Sequence, residues 1–172
     1  MPTLRLYGDP ALRRKAAPVA RFDESLRTLA QEMTEVMHDH AGVGLAANQV
    51  GADARIIVVD LSGGERAGEA FALVNPRVTW REGVVGDEEG CLSFPGLRFP
   101  VRRAMAVRVE GQDLAGQPVI HEARGLLARV FQHEIDHLDG VLFFDRLPWR
   151  KRLAIWLKLP RLKAQYRALR PA

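Results

Sequence analysis

A single cysteine, Cys91, stands in a chain of 172 residues, so no internal disulfide can hold this protein together. The fold must rest on buried apolar side chains. At this length a folded chain removes roughly 70% of its unfolded surface from water, enough for one sizeable core, and 47% hydrophobic residues can fill it. One domain is expected. A lone thiol fits a reducing compartment and stays free for metal or catalytic chemistry. No apolar run reaches the ~18 residues of a membrane span, and the first residues lack a secretory apolar stretch, so a cytoplasmic location is the expectation.

Apolar periodicity outlines the elements. From Asp23, an N-cap candidate, Leu26, Leu29, Ala30, Met33, Val36 and Met37 recur at helical spacing, which predicts a helix to about Asp39 with one buried face. His38 and His40 read as solvated residues at its end. Strands are expected over 55–61, 71–80, 105–110 and 119–123, while the segment before Val19 reads as extended and turn-rich. A second amphipathic helix is predicted from Leu126 to Asp139, between Gly125 and Gly140. A further helix is expected to start at Pro148, with Trp149, Leu153, Trp156 and Leu157 on one face. Pro160 should break or kink it, and Leu162, Tyr166 and Leu169 mark a shorter piece beyond.

Charge is unevenly spread. Of the 25 Lys and Arg residues, 9 lie in 146–172, where there is no acid; the other 16 stand against all 21 Asp and Glu. Basic character therefore belongs to the tail. One reading packs its apolar stripe on the body with cations outward; the other is a polyanionic contact such as nucleic acid.

The sharpest local pattern is Gln132-His133-Glu134-Ile135-Asp136-His137-Leu138. Positions four apart on a helix lie one above the other, so His133 and His137 can turn ring nitrogens to one metal ion. Glu134 beside them has the place of the general base in H-E-x-x-H metallohydrolases. A third ligand is needed, from Cys91, His38, His40, His121 or a carboxylate. Cys91 is the best candidate as the only thiol, in the loop-like stretch Glu88–Pro95, with a buried structural cysteine as the alternative. One Cys and two His would leave a coordination position open, the mark of a catalytic site.

Three segments, Gly42-Val43-Gly44-Leu45-Ala46-Ala47-Asn48-Gln49-Val50, Glu89-Gly90-Cys91-Leu92-Ser93 and Gln132–Leu138, resemble the three motifs of peptide deformylases in order and approximate spacing. The resemblance runs from the N-terminal segment to about Leu147. It implies hydrolytic removal of the N-formyl group from nascent formylmethionyl polypeptides, with metal ligation by Cys91, His133 and His137. Glu134 would act as general acid and base, with the Gln49 side chain and the Leu92 backbone N–H stabilising the oxyanion. Val43, Gly44 and Gly90 would pair with the peptide as an added strand, and Arg98 would reach its downstream part. Val130 either lines a methionine pocket or packs in the core. Iron(II) is the implied metal, with zinc, nickel or cobalt as substitutes, and the basic tail is an implied ribosome contact.

The expected architecture is an α+β domain in which antiparallel β-sheets surround a central helix carrying the H-E-x-x-H motif, with a C-terminal helix. Residues 1–147 would be the catalytic part and 148–172 a basic amphipathic helical extension of the same domain. Asn48 departs from the Pro or Thr of many family members, and a pairing of Glu89 with Arg103 is left open because Phe99–Arg103 departs from the usual order. Asp136 and Asp139 read as structural, and His121 as exposed or satisfied. An H-E-x-x-H endopeptidase and a noncatalytic RNA-binding module with a structural metal are the rival readings.

Overall fold

The computed structural model describes residues 2–66, 68–156, 160 and 164. The periodicity after Asp23 becomes helix α1 (Glu24–Asp39), capped where the Asp23 carboxylate accepts from the N–H groups of Ser25 and Leu26. Its buried side chains are all apolar: Leu26, Ala30, Met33, Val36 and Met37.

Among the described residues, β1 (Gly44–Ala46), β2 (Ile56–Val59), β3 (Phe71–Glu82), β6 (Ala106–Gln112) and β7 (Pro118–Arg124) form one sheet in the order β1-β2-β3-β6-β7. Every neighbouring pair is antiparallel. Strand β2 is buried at each position, and its alternation divides the core. Ile56 and Val58 join the residues of α1. Ile57 and Val59 join Phe131, Ile135 and Leu138 of the second long helix, α2 (Gly125–Leu138). The sheet thus separates the two helices. The four predicted strands and both helices are present, with boundaries shifted by one or two residues at most ends.

Three strands, the short β1 among them, and the tail differ from the sequence reading. The stretch around Glu88 is not a loop throughout: β4 (Val85–Gly90) pairs antiparallel with β5 (Arg98–Arg103), setting Glu89 opposite Phe99 and Gly90 opposite Arg98. Most of β4 is exposed and acidic, so no apolar alternation betrays it. Strand β4 ends at Gly90, and Cys91 opens the connection to β5. The tail also differs. Helix α3 (Trp149–Trp156) starts one residue after Pro148, whose carbonyl accepts the first helical bond from Arg152 N at 3.1 Å. Its expected stripe does not pack through Trp149 and Leu153, which are 69% and 56% exposed. Among the described side chains of α3, Ile155 is the buried one, because the body offers an apolar cluster of Leu12, Phe143, Phe144 and Leu147 on that side. Pro160 is itself helical, while Leu157, Leu162, Tyr166 and Leu169 lie outside the described residues.

Helix α2 is placed by tight turns at both ends. Gly125 and Gly140 adopt φ of 59° and 72°, in the left-handed region that favours glycine. A Cβ at Gly140 would meet the Arg13 carbonyl oxygen at 2.5 Å, so only glycine lets the N-terminal segment cross here. After it, Asp145 caps a 3-10 turn (Phe143–Arg146) by accepting from Leu142 N at 2.8 Å.

Candidate metal centre

Helix geometry does at His133 and His137 what the spacing predicts: their Nε2 atoms lie 3.1 Å apart. From the end of β4, Cys91 brings its Sγ to 3.2 Å from His137 Nε2. The ligand atoms of Cys91, His133 and His137 all lie within 4.8 Å of one another, the one such group among the described residues. The other histidines are elsewhere. His38 holds the buried Asp60 at 2.8 Å rather than facing solvent alone, His40 bonds the Val36 carbonyl at 2.9 Å, and His121 stacks on Phe71 with ring centroids 5.1 Å apart.

The orientation of His133 is set by Glu89. Nδ1 lies 2.6 Å from Glu89 Oε1, so the N–H donates to the carboxylate and the Nε2 lone pair turns to the centre. Glu89 is in turn held by Arg103, which donates from Nη2 at 2.7 Å and Nε at 3.1 Å, and by Arg129 Nη1 at 2.9 Å. The pairing left open by the sequence is therefore made, and buried. Burial opposes the Glu89 charge, but its bonds to His133 and Arg103 outweigh burial and hold its pKa well below the ordinary carboxylate value. Asp136 accepts from Arg103 and Arg146, and Asp139 from Arg55 at 2.8 Å; both are structural, as expected.

The donor set fits a cation. Bonds of ~2.0–2.3 Å in a tetrahedral site place ligand atoms about 3.3–3.6 Å apart, close to the 3.1 and 3.2 Å that separate His137 Nε2 from His133 Nε2 and Cys91 Sγ. Burial opposes charge on His133, yet contacts with Cys91 and Glu89 raise its pKa well above 6.5, while burial and the neighbouring His133 lower that of His137. Three buried polar side-chain atoms lack a hydrogen-bond partner among the described residues: Glu134 Oε2, His137 Nδ1 and Asn48 Oδ1. Asn48 meanwhile donates its amide to the His137 carbonyl. Burial pushes Glu134 up to about 7, against the pull of His133.

A cavity of about 540 Å³ opens over this centre. Its wall includes the residues expected from the sequence except His137, which lies beneath it: Val43, Gly44, Gln49, Gly90, Cys91, Leu92, Arg98, Val130, His133 and Glu134. Gln49 is fixed at both ends of its amide. Oε1 accepts from Ala46 N at 2.8 Å, which turns Nε2 toward Ser93 Oγ at 3.2 Å and Cys91 Sγ at 3.6 Å. Gly44 lies so close to α2 that a Cβ would come within 2.7 Å of both Glu134 Oε1 and Val130 Cγ1. The sequence reading missed Arg129, a buried cation in the wall; its position one turn before His133 was the available signal.

Fold and site together define the class: a metal-dependent hydrolase of α+β architecture. Residues 1–153 match the family described as polypeptide deformylase. A peptide deformylase of Alkalilimnicola ehrlichii is 48% identical over 162 residues, 94% of this chain and 90% of that protein. One of Thermus thermophilus is 47% identical, over 96% of this chain and 94% of that protein. The crystal structure of a peptide deformylase from Legionella pneumophila superposes with a TM-score of 0.88 at 42% identity, over 99% of both chains. The crystal structure of the Thermus thermophilus enzyme gives 0.86 at 47% identity, over 96% of this chain and 99% of the other. The chain belongs to the polypeptide deformylase family, hydrolases that remove the formyl group from N-terminal formylmethionine.

Proposed function

We propose that Cys91, His133 and His137 hold the metal ion, that Glu134 moves the proton, and that Gln49 and Leu92 stabilise the oxyanion as the formyl group leaves. The observation that carries this reading is the convergence of one thiol and two imidazoles beside a buried carboxylate. When bound, the ion supplies Lewis acidity, which makes water a stronger acid and polarises the formyl carbonyl. Family resemblance implies iron(II) as the native ion, and thiolate and imidazole donors also accept zinc, nickel or cobalt.

Water adds to the formyl carbon, and the Glu134 carboxylate takes its proton. Negative charge then develops on the formyl oxygen, where the Gln49 amide and the Leu92 backbone N–H meet it; one such donor is worth ~2.7–4 kcal/mol of barrier. Glu134 returns the proton to the amine nitrogen as the C–N bond breaks, leaving formate and a free N-terminus. The backbone of Val43 and Gly44 and that of Gly90 receive the peptide as an added strand. Gly44 suits this role because its missing side chain lets substrate, Glu134 and Val130 share the space. Val130 lines the methionine pocket, and Arg98 at the rim reaches the downstream residues.

Residues 1–147 form the catalytic part and 148–172 a basic extension of the same domain. Exposed Trp149 and Leu153 beside Arg150, Lys151 and Arg152 suit a ribosome contact through RNA phosphates, for a cytoplasmic enzyme acting on emerging chains. Among the described residues no helix is long and apolar enough to cross a membrane.

Formate release from formyl-Met-Ala-Ser, with the N-acetyl peptide as control, tests the reading. Glu134→Gln is expected to lose about 10²–10⁴-fold in turnover while keeping its full metal content, and metal analysis of anaerobically purified protein identifies the ion. Turnover retained by Glu134→Gln rules out the proposed role.

A further inference from the structure

The charges that orient His133 continue beyond Glu89. Arg103 divides its guanidinium: Nε and Nη2 serve Glu89, while Nη1 donates to Asp136 Oδ2. Asp136 is shared in turn. Arg146 donates to its Oδ2 from Nε at 3.0 Å and to its Oδ1 from Nη2. A continuous run of hydrogen-bonded charges therefore links Arg146, Asp136, Arg103, Glu89 and His133. Its inner members are buried, Arg103 and Glu89 at 4% and 5% side-chain exposure, whereas Arg146 is 49% exposed. Arg146 closes the 3-10 turn that leads into α3, a turn also held where Asp145 accepts from Arg13.

We infer that Arg146 is a positioning residue for His133, acting through Asp136, Arg103 and Glu89, so that the seating of the segment before α3 governs how tightly the centre keeps its ion. The inference rests on the reading of Cys91, His133 and His137 as ligands. Asp136 now has two guanidinium partners, and the fork of Arg146 satisfies both of its oxygens. Without Arg146 the whole charge of Asp136 acts on Arg103 and draws the guanidinium from Glu89. Glu89 is the acceptor that fixes the His133 ring, and partners of metal ligands of this kind typically carry 10–100-fold in metal affinity. In a low-dielectric interior such a displacement is poorly screened, so it travels along the run.

The test uses the full-length enzyme loaded with cobalt(II), whose thiolate charge-transfer band reports the centre, challenged with EDTA. Arg146→Ala should release cobalt about tenfold faster than the parent, with the melting temperature of the metal-free protein unchanged. Arg146→Lys should recover part of the loss, because an ammonium supplies charge without the fork. In a Glu89→Gln background, or in Asp136→Asn if that one does not fold, Arg146→Ala should add nothing, since the run is already cut. Equal release from Arg146→Ala and parent overturns the inference, as does a full tenfold effect added on top of either background. A fall in metal-free melting temperature with unchanged release assigns Arg146 a merely structural role and also overturns it. A parent with no cobalt–thiolate band overturns the metal-centre reading and this inference with it, a result distinct from equal release.

Discussion

Helices α1 and α2 are of similar length, 16 and 14 residues, and pack against opposite faces of β2, yet they bury different chemistry. α1 buries five apolar side chains and leaves its polar face in water. α2 is buried continuously from Ala128 to Leu138, and that stretch includes Arg129, Gln132, His133, Glu134, Asp136 and His137. Burying such groups costs free energy unless each is bonded. Most are: Gln132 exchanges bonds at 3.0 Å with the Ala104 backbone, and the charged residues join Glu89, Arg103 and Arg146. The exceptions, Glu134 Oε2 and His137 Nδ1, lie at the site itself. One helix holds the fold by area alone, while the other accepts a polar interior because chemistry needs fixed groups away from bulk water.

If the contrast holds, changes on α2 should remove chemistry and changes on α1 should remove only stability. The largest effect is expected from His137→Ala, which takes away a proposed ligand: bound metal, measured by elemental analysis, and formate release should both fall to background. Gly44→Ala sits between the two regimes on β1. Its methyl would press on Glu134 and Val130, and a displacement near 1 Å typically costs about 10²-fold in rate. Steady-state kinetics should show that loss with metal still bound. On α1, Met33→Ala removes a fully buried side chain and should cost about 2–5 kcal/mol in denaturant unfolding. Its kcat/KM per folded molecule should match the parent; a loss of kcat there would break the contrast.

The smallest effect concerns acid stability behind α1. Ser62 above all, with backbone N–H groups of Ser62 and Gly64 and the His38 ring, holds Asp60 below its ordinary pKa. A carboxylate whose pKa is depressed by folding contributes stability above its unfolded pKa and loses it as pH falls through the folded value. Asp60→Asn should therefore be less stable than the parent at pH 7, with the difference shrinking below about pH 4. Unfolding curves at the two pH values check this.

Legibility in the sequence follows the same division. The α1 face and its Asp23 cap were readable because local periodicity and capping decide them. Glu134 and the convergence of His133 and His137 on α2 were readable because four-residue spacing is a property of any helix. β4 was not, since Val85-Gly86-Asp87-Glu88-Glu89-Gly90 has no apolar alternation and Val85 as its single strong strand former, and pairing with β5 holds it extended. Arg129 escaped notice because its partner Glu89 lies 40 residues away. In the tail, helical spacing tells which residues share a face but not which face docks: Trp149 and Leu153 stay exposed, and the apolar cluster around Phe143 takes Ile155 instead.

By itself the sequence determined the helices, most strands, the one available thiol and the motif-bearing turn of α2, all of which depend on neighbours within a few residues. The tertiary structure alone decided that Cys91 stands 3.2 Å from His137, that Glu89 orients His133, and that Arg146 is wired to both through buried charges. Those contacts join segments far apart in the chain, and electrostatic partners carry no periodicity by which a linear pattern can announce them.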